Sequence, residues 1–119
     1  MAKIALTDMT LVATDVPAMV AFYNSVFESD LKPWSAFGAT LYRGTLGGVG
    51  LQLCPNEVAG VVAEQNRHQL RFQVPNLDAM LARVQAAGGA LHGDLTQEGN
   101  KRLAAVEDPD GNTLELIEG

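Results

Sequence analysis

Few residue types in this chain do chemistry unaided, and their spacing narrows the choices further. A single cysteine, Cys54, excludes an intrachain disulfide framework and any Cys-rich zinc pattern. Nothing beside it in sequence marks a low-pKa thiolate, so it reads as a small buried hydrophobe. The glycine-rich run Gly44 to Gly50, GTLGGVG, lacks the Lys-Ser/Thr pair and the following helix that a phosphate-binding loop requires. It reads as a hairpin turn. No nucleophile is paired with a base in any recognisable pattern.

Bulk properties set the surroundings for that chemistry. The formal charge is −6, with the eight basic residues scattered, which excludes a nucleic-acid or anionic-membrane footprint and mildly favours neutral or cationic ligands. Hydrophobic residues make up 47% of the 119 positions, enough to bury one core without metals or staples, so a single domain over 1–119 is expected. No apolar run approaches the ~20 residues that span a bilayer, and the N-terminus lacks a secretory layout. With one cysteine, a reducing, cytoplasmic setting is expected.

The elements that must position the chemistry follow from periodicity and caps. Residues 7–13 read as a strand, and Asp15 stands where a helix N-cap belongs. Val16, Met19, Val20, Tyr23, Val26 and Phe27 then recur at helical spacing, with Pro17 in the tolerant first turn. Three short strands follow near 32–35, 39–43 and 49–54, separated by turns at Gly38 and Gly47-Gly48. Residues 56–66 have no clean period and read as a connector. The order then restarts: a strand at 68–74, Asn76 as cap, a stripe of Leu77, Met80, Leu81 and Val84, a stop at Gly88-Gly89, and strands near 90–95, 102–107 and 113–118. Between the last two strands, Asp108-Pro109-Asp110-Gly111-Asn112 supplies turn chemistry.

The repeat is visible residue by residue. A shift of 61 places Ala18, Met19 and Ala21 on Ala79, Met80 and Ala82, and Asp15 on Asn76. A shift of 63 superposes Gly50–Leu53 on Thr113–Leu116. The chain is thus two βαβββ modules, 1–55 and 67–119, joined by the 56–66 connector. This duplication, the helix opening on D-V-P-A-M-V-A-F-Y and the closing E-D-P-D-G-N-T-L-E-L-I-E resemble the vicinal oxygen chelate superfamily, which includes glyoxalases, extradiol dioxygenases and bleomycin-resistance proteins.

The resemblance implies an α+β fold in which a curled mixed sheet surrounds a cavity, with one helix packed on each module. Given that arrangement, period-two alternation turns Asp8, Thr10 and Val12 to the cavity from the first strand, and Gln69, Arg71 and Gln73 from the fifth. Gln52 and Cys54, and Thr113, Glu115 and Ile117, point inward from the last strand of each module. The family's four chelating places fall on Asp8, Gln52, Gln69 and Glu115, and none is a histidine. His68 adjoins one such place, but turning it inward would expel Leu70, Phe72 and Val74 from the core. His92 is expected at an exposed rim.

Two carboxylates and two neutral amides make a poor cage for a catalytic divalent ion, so no cofactor is expected. The resemblance then implies a small-molecule binding protein of the bleomycin-resistance type. Its pocket is formed by Asp8, Gln52, Gln69, Arg71 and Glu115, with Trp34 and Tyr42 placed to stack a flat organic ligand. The alternative is a divalent-metal lyase, isomerase or dioxygenase using Glu115, Asp8, Gln52 and Gln69. A self-satisfied network in which Arg71 pairs Glu115 or Asp8 is the structural counterpart of both. By the same resemblance the chain is expected to pair as a homodimer.

Overall fold

Asp15 and Asn76 cap the two long helices as their spacing predicts, each side chain accepting from the backbone N–H three residues on. The computed structural model describes residues 6–59 and 69–119. In chain order the elements are β1 (Asp8–Ala13), α1 (Val16–Val26), β2 (Lys32–Ala36), β3 (Ala39–Leu46), β4 (Val49–Pro55), a single turn α2 (Asn56–Ala59), β5 (Leu70–Val74), α3 (Leu77–Ala86), β6 (Ala90–Glu98), β7 (Lys101–Glu107) and β8 (Thr113–Glu118). The helical turn α2 opens the expected connector. The rest of that connector up to 66, and His68, lie outside the described residues.

Each module forms its own sheet, with strand orders β1-β4-β3-β2 and β5-β8-β7-β6. In both, the first and last strands of the module pair parallel while the remaining pairs are antiparallel hairpins. The expected curled sheet around a cavity is therefore corrected: these are two open four-stranded sheets, neither closed on itself nor joined to the other by a ladder. Four strands are too few to enclose a ligand-sized interior, for which roughly eight are needed. Instead each sheet has one face on the core and one open face.

The core draws on both modules at once. Met19, Phe22, Tyr23 and Val26 of α1, Leu51 and Leu53 of β4, Leu77 and Val84 of α3, and Leu114 and Leu116 of β8 form one buried cluster. Phe27 meets Phe72 of β5 with ring centroids 4.6 Å apart, so the end of α1 packs on the second sheet. Phe22 needs Gly89: a Cβ there would collide with its ring, with Val84 and with the Glu107 carbonyl.

The β7–β8 turn completes the union. Tyr23 Oη donates to Asp108 Oδ2, while Asp110 accepts from the backbone N–H groups of Thr14 and Asp15 and from the Thr14 hydroxyl. The D-P-D-G-N motif is thus a latch onto the other module's helix. The Asn112 amide and the backbone N–H groups of Asp110 and Asn112 complete the Asp108 cradle.

Candidate functional site

Strand register sorts the first sheet into its two faces. Met9 pairs with Leu51, Leu11 with Leu53, and Tyr42 with Leu53, all on the core side. In the first row of the open face Val12 pairs with Cys54 and Leu41 with Trp34, and the next row runs Thr10, Gln52, Arg43, Lys32. The first row is apolar, with Leu41 and Cys54 buried although they stand apart from the main core cluster. Over the polar row lies a cleft of about 410 Å³ lined by Asp8, Thr10, Arg43 and Gln52 together with Met9, Gly44 and Leu51.

Arg43 is the fixed feature of this cleft. Its guanidinium carbon lies 3.5 Å from the Trp34 ring centroid, and its Nε donates to Gln52 Oε1 at 3.3 Å. Stacking and one hydrogen bond together restrain this exposed side chain beside Gln52. The Trp34 indole nitrogen is buried without a hydrogen-bond partner among the described residues. At the other end, the Asp8 carboxylate rests over Gly50, in the space a Cβ at that position would fill. Gly50 therefore fixes where the acid sits.

The open face of the second sheet carries a different arrangement. Arg71 makes a two-pronged pair with Glu98 at 3.0 and 3.2 Å, and its Nε donates to Glu115 at 3.2 Å. These bonds occupy all three guanidinium nitrogens. They also hold the Glu98 carboxyl below the usual carboxylate range, the Arg71 hydrogen bond being the main cause. Gln69 Nε2 donates to the Thr113 hydroxyl at 3.3 Å.

The residues expected at one cavity are thus distributed over two faces. Asp8 and Gln52 share the first-sheet cleft with Arg43 beside Trp34, whereas Gln69, Arg71 and Glu115 lie on the second sheet. No hydrogen bond or ion pair among the described residues joins the two groups. Tyr42 is half-buried on the core side, opposite Leu53. His92 is exposed on β6 and bonds Glu107 at 2.9 Å.

A divalent metal fits these side chains poorly. Among the described residues no three His, Cys, Asp or Glu groups converge on a point. Of the four candidate ligands two are neutral amides, and Glu115 already holds a guanidinium, a positive charge at the place a cation would need.

Arg43 was not among the residues singled out by type, yet a signal for it was present. The two-residue turn Gly47-Gly48 sets Leu46 opposite Val49, and three further steps along each strand set Arg43 opposite Gln52. Its placement follows from hairpin register rather than from motif.

A family model described as a glyoxalase-like domain matches residues 8–117. No curated protein matches the chain by sequence. Among solved structures, a genomically encoded fosfomycin resistance protein, FosX, from Listeria monocytogenes is similar at a TM-score of 0.77 and 17% identity, over 99% of this chain and 95% of that one. A glyoxalase/bleomycin resistance protein/dioxygenase family enzyme from Burkholderia phytofirmans matches at 0.75 and 20% identity, covering 95% and 97%. Lactoylglutathione lyase from Agrobacterium tumefaciens matches at 0.67 and 21%, covering 97% and 93%. Identities of this size carry the fold and leave the reaction open.

Proposed function

The chain belongs to the glyoxalase-like domain family of the vicinal oxygen chelate superfamily, and from that premise we propose that it is a small-molecule binding protein acting without a catalytic metal. The ligand is taken up on the open face of β1, β3 and β4. One observation carries this reading: the cleft over Asp8, Thr10, Gln52 and Arg43 holds converging polar groups that do not neutralise one another, whereas the arginine of the second sheet is matched by two carboxylates. Trp34, stacked on Arg43, lies where ligand contact would change its fluorescence.

The experiment is a thermal-shift and Trp34 fluorescence screen against organic acids, amides and cationic aromatics, run alongside titration with Ni, Co, Mn and Zn. Ligand-dependent stabilisation that weakens in Asp8→Ala and Gln52→Ala, both still folded, is the expected result. Metal binding at micromolar levels that needs Glu115 would replace this reading with the metal-dependent lyase, isomerase or dioxygenase.

In the same reading the protein acts in the cytoplasm as a homodimer. A free, buried thiol at Cys54 suits a reducing compartment. The edge strand β6 is exposed along its whole length, including Leu91 and Leu95, and offers surface for a second copy. Light scattering at several concentrations tests the state. No helix among the described residues is long and apolar enough to cross a membrane.

A further inference from the structure

Resting on the binding reading above, we propose that the first-sheet cleft is specific for a small organic carboxylate that also carries a hydroxyl or ammonium group, with Arg43 as the anion anchor. Three features of the geometry lead there.

Arg43 is held and yet incompletely used. Trp34 covers one face of the guanidinium and Gln52 accepts from Nε, while the two terminal nitrogens have no polar partner among the described residues. The edge they present matches the two oxygens of a carboxylate, the geometry in which arginine binds most strongly and most selectively. Holding the side chain in place beforehand removes much of the entropy cost of that contact.

Gln52 adds a donor next to that edge. Arginine has no acceptor, so the amide oxygen must face Arg43 and the amide nitrogen is left on the other side. Thr10, in register with Gln52, brings a hydroxyl to the same row. Lys32 beyond Arg43 is taken up by Asp30 at 3.6 Å, so the anion preference centres on Arg43.

Asp8 supplies the opposite polarity at the far end of the cleft. An ionised carboxylate is purely an acceptor, so the part of the ligand beside it must donate. Its position over Gly50 keeps it one row away from Arg43's row instead of letting the two collapse into a pair. The volume of about 410 Å³ lies toward the small end of the about 300–1,000 Å³ usual for ligand sites. In a protein of net charge −6, selectivity for an anion requires a local device of this kind.

The test uses the full chain with 3-hydroxybenzoate and its neutral counterpart 3-hydroxybenzamide, measured by calorimetry and Trp34 fluorescence. The acid is expected to bind at least tenfold more tightly than the amide, and Arg43→Gln to bring the two within about twofold of each other. Gln52→Glu provides a second route: a carboxylate at that place occupies Arg43, repels the acid and removes the amide donor, so both probes weaken and the acid loses more than the amide. Equal affinity for both probes in the native protein, or an acid preference that survives Arg43→Gln and Gln52→Glu, overturns the carboxylate assignment and leaves the binding reading standing. If neither probe binds, the carboxylate assignment falls, and the wider ligand screen decides the binding reading separately.

Discussion

Tyr23 Oη lies 2.8 Å from Asp108 Oδ2, a buried hydrogen bond between residues 85 apart that ties α1 of one module to the β7–β8 turn of the other. Burial raises the Asp108 pKa above the ordinary carboxylate range, although hydrogen bonds from Asn112, Tyr23 and the turn backbone work in the other direction. The tyrosine is raised as well, by burial first and then by the nearby acid.

Tyr23→Phe should lower stability by about 1–3 kcal/mol, because the buried carboxylate loses a donor that nothing replaces. Urea denaturation measures it. The pH dependence has a defined sign: a carboxyl whose folded pKa is raised contributes stability that is present below its unfolded value and lost as pH rises through the folded one. The stability of the native protein relative to Asp108→Asn should therefore fall with rising pH above about 4. A rising difference would contradict the burial argument.

Asp110 accepts three hydrogen bonds at the entrance to α1. Asp110→Ala should cost roughly 1–2 kcal/mol, with faster hydrogen exchange at the Thr14 and Asp15 amides and little change elsewhere in the first sheet. Asp110→Asn keeps one oxygen acceptor and should fall between. Unchanged exchange at Thr14 would mean that the latch contributes nothing.

Two glycine substitutions should separate stability from binding. A Cβ at position 89 meets the Glu107 carbonyl, Phe22 and Val84, none of which moves cheaply, so Gly89→Ala should destabilise by about 1–3 kcal/mol. At position 50 the nearest obstacle is the flexible Asp8 side chain. Gly50→Ala should therefore melt closer to the native protein yet weaken ligand binding by displacing that carboxylate. The reverse ranking in either assay would refute the placement of Asp8.

Glu118 bonds Arg102 and accepts from the Leu77 N–H at the start of α3, and its carboxyl is held below the usual value, by the Arg102 hydrogen bond first. A depressed carboxyl contributes stability that is present above its unfolded pKa and lost as pH falls through the folded one. The advantage of the native protein over Glu118→Gln should shrink below about pH 4, opposite in direction to Asp108. The Arg102 and Glu118 side chains remain about a third exposed, so salt should reduce the effect. Urea midpoints from pH 3 to 7 at two ionic strengths decide it.

The two long helices, their caps and the eight strands of the described residues were legible because each rests on local rules: an N-cap side chain that accepts from the N–H three residues on, apolar stripes at helical spacing, and glycine turns between alternating runs. β6 extends to Glu98 rather than ending near Leu95, since an edge hairpin grows by backbone pairing alone and leaves no apolar pattern. The face on which Asp8, Gln52, Arg71 and Glu115 stand was equally legible, because period two is a property of the strand itself.

By itself, then, the sequence determined the two modules, their order and which side of each strand is polar. Tertiary structure alone decided which polar faces meet. Alternation orients a side chain relative to its own sheet, but whether two sheets curl into one cavity depends on how α1 packs against the other module through Tyr23, Phe22 and Phe27. That packing leaves Asp8 and Gln52 with Arg43, and gives Arg71 to Glu98 and Glu115. Contacts between residues far apart in sequence set the composition of the site, and no local pattern encodes them.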